Sequence, residues 1–250
     1  MTGYVGTIET PGDFELYSYS GGIAAADSLC QAIAKSSLGV LYETPAGLIN
    51  YDSASTRTGR VTADGFLSID SAHLRPGGLS TATRVSELVN DLTIVYKNSA
   101  TVSDTVPASQ LQYGDFSSSI NTFLEQGSQA QAQLDLYLAT RSIARSTVGG
   151  ITVPLHNPDL PDATRDALLA AYCGLPITIP NLPQQLTTLE FRGFVEGYSW
   201  TITNKTADLS MIVSDYALSA IQQAWRQVDT GEAWNTVSHA LEWRDAREVA

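Results

Sequence analysis

A long hairpin pattern in the C-terminal half of the chain constrains the fold more than any other feature of the sequence. Residues 189–203 (LEFRGFVEGYSWTIT) and 209–214 (LSMIVS) are two β-prone runs, and a polar turn, NKTAD, joins them. Large side chains recur at even spacing in the first run, which predicts a strand with one face in the core. These residues are Phe194, Tyr198, Trp200 and Ile202. Gly193 and Gly197 indicate a bulge or a close backbone approach within that strand.

The rest of the chain alternates between helix and strand patterns. Apolar residues at helical spacing predict helices over 24–39, 128–145 and 160–174, and Ser128 is placed to cap the second of them. Short β-prone runs predict strands. They fall at 40–53, as a hairpin with its turn at 44–47, and at 66–70, 91–98, 149–156 and 175–180. This order of elements predicts a β-rich α+β fold with barrel-like or sandwich sheets.

Polar, glycine-bearing stretches divide the chain. The runs 55–65 and 73–84 have the composition of connectors, and we place a domain boundary near residue 80. Three parts are predicted: a helix-plus-hairpin region at 1–80, a β-rich domain with helices at 81–215, and a tryptophan-bearing segment at 216–250.

Three of the four tryptophans recur at a fixed interval of nine residues near the end of the chain. They are Trp225, Trp234 and Trp243, followed three positions later by Val228, Val237 and Ala246. On a helix nine residues turn the chain by roughly 900°, which puts successive rings on opposite faces. A strand also alternates them, because nine is odd. The interval therefore indicates short units that each deliver one ring, and the segment is predicted to be an anchor, docked either on its own domain or on a neighbouring subunit.

The charge of the chain limits its partners. A formal net charge of -12 and a pI near 4.5 argue against tight binding to a nucleic-acid backbone or to an anionic membrane, since both attract basic surfaces. No apolar run approaches the roughly 18 residues of a membrane span, and the N-terminus lacks the pattern of a signal peptide. We expect synthesis in the cytoplasm and no insertion into a membrane.

The residues that most often do chemistry are scattered. His73, His156 and His239 lie far apart, and the chain contains none of the common metalloprotease, nucleophile-elbow or phosphate-loop motifs. Cys30 and Cys173 stand alone, which predicts two small core residues rather than a disulfide or a zinc site.

The acidic pairs have structural explanations as well. Glu190 and Glu196 are near each other in one predicted strand beside Arg192, which favours a solvated edge. Asp159 and Asp162 stand where a helix begins, where the helix dipole stabilises a negative charge. No catalytic residue, cofactor or metal is predicted, and the glycosylation pattern at 204–206 is attributed to chance.

Four segments together carry a resemblance to a known family. They are LGVLYETPAGLINYDS (38–53), NDLTIVYKN (90–98), QYGDFSSSINTFL (112–124) and the run 182–215, which precedes the tryptophan repeat. The chain resembles minor tail proteins of long-tailed bacteriophages over most of residues 25–250. The resemblance is closest to the tail-tip hub (baseplate) proteins of phages that infect actinobacteria.

The resemblance implies tail-tube-like β-barrel modules with a flanking helix, assembled as a ring, with a trimer favoured, around the tail axis. Its implied partners are tube, distal tail, tape-measure and fibre proteins, with DNA only in passage, and its implied location is the virion after synthesis in the host cytoplasm. The expected role is structural, and acidic residues along the passage would repel DNA phosphates.

The chain departs from the pattern of this family in two ways. Family members are commonly longer on the N-terminal side, so a shortened hub or one half of a divided hub is expected. No carbohydrate-binding or wall-cleaving segment is appended, so we expect host recognition to belong to a partner.

Two alternative functions are a carbohydrate-binding tail module that uses the three tryptophans as stacking platforms, and a cell-wall hydrolase that uses the carboxylates.

Overall fold

The computed structural model describes residues 13–19, 25–44, 46–83, 87–144, 146–183 and 189–218. Within these ranges the α-helices are α1 (Ala26–Ser36), α2 (Ala54–Asp64), α3 (Pro107–Tyr113), α4 (Gly127–Arg141) and α5 (Asp162–Leu169). The strands are β1 (Val40–Glu43), β2 (Ile49–Asp52), β3 (Leu67–Ser68), β4 (Leu79–Thr83), β5 (Asp91–Tyr96), β6 (Ala100–Thr105), β7 (Ser117–Asn121), β8 (Ser146–Pro154), β9 (Pro176–Ile179), β10 (Phe191–Ile202) and β11 (Ala207–Asp215). The predicted α+β class is confirmed. No helix in these ranges has both the length and the apolar character that crossing a bilayer requires.

The largest sheet has six strands in the order β3-β9-β10-β11-β8-β4. Its centre is the predicted hairpin of β10 and β11, which pair antiparallel from Gly193 with Asp215 to Ile202 with Ala207. The other neighbours are also antiparallel except β3, which runs parallel to β9. The hairpin pattern in the sequence therefore identifies the two central strands.

A β-bulge at Glu196 interrupts the pairing of β10 with β11. Val195 pairs with Val213 and Gly197 pairs with Ile212, so Glu196 is an extra residue in the ladder. Such an insertion restarts the alternation of side chains, because one added residue moves every later side chain to the other face. The bulge anticipated near the glycines of this strand is confirmed.

The large residues of β10 are consequently divided between the two faces of the sheet. Phe194 pairs with Ser214 on one face, whereas Tyr198 and Trp200, beyond the bulge, pack against the core on the other. Ile202 is 71% exposed at the end of the strand. The predicted single core face of this strand is therefore wrong, because strict alternation does not account for an inserted residue.

The main hydrophobic core lies against one face of the six-stranded sheet, which we call the inner face. Side chains of β8, β9, β11 and α5 build most of it. They include Ile151, Val153, Leu168, Ile177, Leu209 and Met211, each almost completely buried. Burial of aliphatic side chains, at about 25 cal/mol per Å² of apolar area, is the main stabilising contribution on this side.

A three-stranded sheet, in the order β6-β5-β7, packs against α4 and forms a second core. β5 pairs antiparallel with β6 and parallel with β7. The strand and the helix predicted over 91–98 and 128–145 both form. Leu92 and Ile94 of β5 are buried together with the apolar stripe of α4, which consists of Ala130, Leu134 and Leu138.

The start of α4 differs from the prediction. Gln126 occupies the capping position without a side-chain hydrogen bond, and Ser128 lies within the first turn, so the predicted Ser128 cap is wrong. Gly127 packs against Tyr96, where an added Cβ would come within 2.8 Å of the tyrosine oxygen. The first turn of α4 is therefore packed closely against β5.

The N-terminal helix and hairpin form as predicted and contact the second core. β1 and β2 pair antiparallel from Val40 with Asp52 to Glu43 with Ile49. At the end of α1, the amide of Gln133 donates to the carbonyl of Ser36 at 2.6 Å. This polar contact joins α1 to α4.

The polar stretch 55–65, whose composition predicts a connector, forms most of α2. Ser53 caps the helix by accepting a hydrogen bond from the backbone N–H of Thr56 at 3.2 Å, and Gly65, with φ of 72°, ends it. The prediction of a connector is wrong here because the buried side of α2 carries Arg57 instead of an apolar stripe.

The boundary predicted at residue 80 falls inside β4, which pairs with β8. β3 precedes that boundary, β4 spans it, and the other four strands of the same sheet follow it. The division into 1–80, 81–215 and 216–250 remains a prediction.

Removing a core side chain from β11 is expected to destabilise the protein far more than removing an exposed one. Leu209 is fully buried, whereas Leu111 of α3 is 90% exposed. Leu209→Ala is expected to lower the free energy of unfolding by about 3 kcal/mol, because it leaves a cavity. The control Leu111→Ala is expected to change it by less than about 0.5 kcal/mol. Urea unfolding followed by circular dichroism measures both, and equal effects would contradict the assigned core.

Candidate interaction surface

The face of the six-stranded sheet opposite the core, the outer face, carries small side chains beyond the bulge. From β10 through β11 to β8, the cross-strand rows are Gly197, Ile212 and Gly150, then Ser199, Ser210 and Thr152. We call these six residues the open patch. The hydroxyls of Ser210 and Thr152 lie 3.0 Å apart and hydrogen-bond to each other. Most of these side chains are too short to cover the backbone beneath them.

The helix α2 covers the outer face on the other side of the bulge. Arg57 projects from α2 to the sheet, and its side chain is 3% exposed. Its guanidinium forms an ion pair with the carboxylate of Glu196, which also accepts a hydrogen bond from the hydroxyl of Ser214. The guanidinium carbon lies 4.3 Å from the centre of the Phe194 ring, in a cation–π contact. The side chain of Glu196 is 25% exposed, which places this pair at the border of the covered part.

A second ion pair connects α2 to the hairpin of β1 and β2. Arg60 donates to both carboxylate oxygens of Asp52, at 2.5 and 2.9 Å. Burial opposes the charge of Arg60, but the hydrogen bonds and the charge of Asp52 outweigh it and raise the guanidinium pKa. Gly174, with φ of 88°, lies against this pair, and an added Cβ there would come within 2.3 Å of Arg60 Nη1. Its backbone conformation, which residues with a Cβ rarely adopt, favours glycine at this position.

Aromatic rings complete the covered part of the outer face. Tyr216, directly after β11, lies with its ring centre 5.6 Å from that of Phe194 and 5.7 Å from that of Phe66. Arg192 lies over the Phe66 ring at 5.6 Å. The chain therefore leaves β11 on the outer side of the sheet, next to the bulge.

A shallow depression of about 470 Å³ lies over the open patch. Besides the patch, the segment at Gly77 and Gly78 and the hydroxyl of Ser80 border it. Ile212 is the large apolar side chain of the patch and is 65% exposed. The depression is thus neutral, partly apolar and partly lined by hydroxyl groups.

Charged residues lie at the end of the outer face farther from α2. Arg75 donates to Oδ2 of Asp208 at 2.7 Å. Oδ1 of Asp208 has no hydrogen-bond partner among the described residues and lies 3.9 Å from Nδ1 of His156. That nitrogen accepts a hydrogen bond from the backbone N–H of Ala207 at 3.4 Å. The open patch therefore lies between two ion pairs, Arg57 with Glu196 and Arg75 with Asp208.

The structure holds the two glutamates noted in the sequence by different partners. Glu190 accepts hydrogen bonds from Arg192 and Thr178, while Glu196 is bound to Arg57. The second pair is partly buried, so the predicted solvated edge is wrong for Glu196. We observe no shared cleft between the two carboxylates in the part of the chain that the structure describes.

The remaining candidates do not converge either. Cys30 is exposed, so its predicted core position is wrong, and Cys173 is partly buried. Burial raises the pKa of the Cys173 thiol, and the charges of Glu196 and Asp52 raise it further, which opposes formation of a nucleophilic thiolate. Within the described ranges, no group of three or more His, Cys, Asp or Glu residues could hold a metal ion.

The residues predicted to form an anchor lie outside the described residues. They are Trp225, Trp234, Trp243, Val228 and Val237, and His239 lies in the same stretch. The open patch was not predicted from the sequence. The signal for it was the alternation of Gly150 and Thr152 with core residues in β8, matched by Ser210 and Ile212 in β11.

Breaking the ion pair at the bulge is expected to be costly. Glu196→Gln removes the carboxylate and leaves the buried guanidinium of Arg57 without an opposite charge. The expected loss is about 2 to 3 kcal/mol of unfolding free energy, below that of a fully buried pair because Glu196 is partly exposed.

The matched control is Glu190→Gln, which weakens the contact with Arg192 at the surface. This change is expected to cost less than about 1 kcal/mol, as surface pairs usually do. Urea unfolding of both variants beside the parent measures the difference. A loss for Glu196→Gln no greater than for Glu190→Gln would show that the buried pair does not hold α2.

Comparison with known proteins finds similarity among solved structures. No protein-family description and no curated protein sequence matches the chain. The 43 kDa tail protein of prophage MuSo2 from Shewanella oneidensis is 12% identical with a TM-score of 0.49, over 78% of this chain and 54% of that one. The tail protein from Neisseria meningitidis MC58 is also 12% identical with a TM-score of 0.49, over 75% of this chain and 54% of that one. The chain spans about half the length of each of these two tail proteins.

Proposed function

We propose that the chain is a structural protein of a bacteriophage tail, located at the tail tip, where it assembles around the tail axis and connects the tube to tip or fibre proteins. The phage assignment rests on the resemblance of the segments 38–53, 90–98, 112–124 and 182–215 to minor tail proteins. The observation that carries the structural role is the open patch, an exposed sheet surface of small neutral side chains beside a firmly covered region.

The form of this surface supports assembly rather than catalysis. Its backbone hydrogen bonds are already made within the sheet, so a partner can approach closely without leaving unpaired N–H and C=O groups. The described chain presents no set of titratable groups converging on a cleft, since Glu190, Glu196 and Cys173 have the separate environments given above. Hydrolysis of a glycosidic bond requires two carboxylates some 5 to 10 Å apart that face one substrate.

The sheet edges support a ring of several copies. β3 and β4 are the edge strands of the six-stranded sheet, and β6 and β7 are the edge strands of the three-stranded sheet. Edge strands have unpaired backbone N–H and C=O groups that can form hydrogen bonds with another chain. We propose a homo-oligomer, with a trimer favoured, in which the tryptophan segment 216–250 acts as an anchor and the 81–215 region is the tube-like module.

The carbohydrate-binding alternative makes a distinct demand on the protein. It requires Trp225, Trp234 and Trp243 to be exposed as stacking platforms along a groove. The test is whether host wall glycans quench the tryptophan emission of the purified chain. Quenching that is lost when Trp225, Trp234 and Trp243 are replaced together by alanine would favour this alternative over the structural role.

The position of the protein in the virion tests the proposal directly. In the phage or prophage that carries the gene, gold-labelled antibodies against the purified chain are expected to bind one end of the tail, and deletion of the gene is expected to stop formation of infective tails. Antibodies against the capsid serve as the control for labelling. A protein absent from purified particles, or clearing of host envelopes by the purified chain that Glu196→Gln abolishes, would contradict a structural role.

The charge of the passage is a second expected property. Because the chain carries a net charge of -12, we expect acidic residues to line the lumen of the ring and repel DNA phosphates. Cryo-electron microscopy of the tail tip, with charges mapped on the fitted chain, measures this. A basic lumen would contradict the expectation.

A further inference from the structure

We propose that the C-terminal segment 219–250 docks on the open patch of the same chain and places at least one tryptophan ring in the depression. This inference concerns contacts within one polypeptide, so it does not rest on the tail function. In the assembled tail, a partner that binds the open patch would take the place of this segment.

The point where the described chain ends favours this occupant. Tyr216 packs on Phe194 on the outer side of the sheet, so the following residues start on the side that carries the open patch. Leu218 is six residues beyond Ile212, so the two residues are at most about 20 Å apart. The 32 residues from 219 to 250 can span about 100 Å when extended. The patch is therefore well within reach.

The chemistry of the patch suits an indole ring. Gly197 and Gly150 leave backbone uncovered on either side of Ile212, and an aromatic ring laid over a sheet glycine shields that backbone from water. Ile212 offers an apolar contact, while the hydroxyls of Ser210 and Thr152 can accept the indole N–H. A volume of about 470 Å³ holds a ring of this size.

The charges around the patch are consistent with a neutral side chain as the contact. The Arg57–Glu196 and Arg75–Asp208 pairs at its two ends are each internally compensated. The surface between them therefore has little preference for an ionic group and rewards removal of apolar area from water, of which a buried tryptophan contributes about 150 to 250 Å².

Covalent linkage favours the chain's own segment over that of a second copy. A segment tethered next to its site has an effective concentration in the millimolar range, which exceeds the concentration of purified protein in ordinary assays. Docking within one chain is therefore expected first, in the absence of other tail proteins.

Photo-crosslinking of the full-length chain tests this docking. The photoreactive residue p-benzoylphenylalanine is placed at Thr201, an exposed outer-face position in the row next to the open patch. After irradiation, crosslinked peptides are identified by mass spectrometry, and the size of the product is read on a denaturing gel. Crosslinks to peptides of 219–250 are expected in a product of monomer size. The same residue at the exposed Leu111 in α3 is the control position and is expected to give none.

A matched pair of glycine variants identifies the surface. Gly197→Glu puts a charge in the patch, and Gly59→Glu makes the same change on α2; an added Cβ meets nothing within 4 Å at either position. The crosslink yield is expected to fall by about tenfold or more for Gly197→Glu, because docking would bury an unpaired carboxylate. Gly59→Glu should leave it unchanged. Replacing Trp225, Trp234 and Trp243 together by alanine should lower the yield as Gly197→Glu does.

Three results would overturn the proposal. They are no crosslink to 219–250, a crosslinked product of dimer size, which would assign the patch to a second copy, and an equal yield for Gly197→Glu and Gly59→Glu. Circular dichroism of each variant checks that the sheet is intact. Since all measurements use the purified chain, the outcome is separate from that of antibody labelling on particles.

Discussion

The ion pair between Arg57 and Glu196 is the contact on which the shape of the outer face depends. α2 has no apolar stripe comparable to that of α4, so hydrophobic burial alone does not explain its position. The bulge provides the binding partner for α2, because it brings the Glu196 carboxylate to the outer face, where it pairs with Arg57. The Phe194 ring and the Ser214 hydroxyl then offset part of the cost of removing the pair from water. One half of the face is closed in this way, and the half beyond the bulge stays open.

The parts of the fold that were predictable from the sequence are those that periodic burial determines. The β10–β11 hairpin and the packing of Leu92 and Ile94 against α4 follow from apolar residues at intervals of two and of three or four. The position of α2 depends instead on a contact between distant residues, since Arg57 and Glu196 are 139 residues apart in the sequence. A polar pair at that separation leaves no local pattern. The expected connector at 55–65 was wrong for this reason. The expected single face of β10 was wrong because strict alternation does not account for the residue inserted at the bulge.

The open patch, too, could be predicted from the sequence only in part. The alternation in β8 and β11 indicates that one side of each strand is small or polar, which is evident from Thr152 and Ser210. It does not indicate whether another element covers that side, because cover is supplied by segments distant in sequence, as α2 shows for Phe194. The predicted anchor residues, including Trp225 and Trp243, lie outside the described residues and stay predictions.

Small residues on an exposed sheet limit uncontrolled association between copies of the chain. Long apolar side chains at Gly150, Gly197 and Ser199 would create a patch prone to uncontrolled association. Glycine and serine avoid that patch while keeping the backbone paired in the ladder, and Ile212 leaves one apolar contact point. Under the proposed docking, the segment that covers the patch would gain free energy by shape and by covering glycine backbone rather than by charge. On this argument, selectivity at the outer face comes from the bulge, which determines where the flat, uncovered part of the sheet begins.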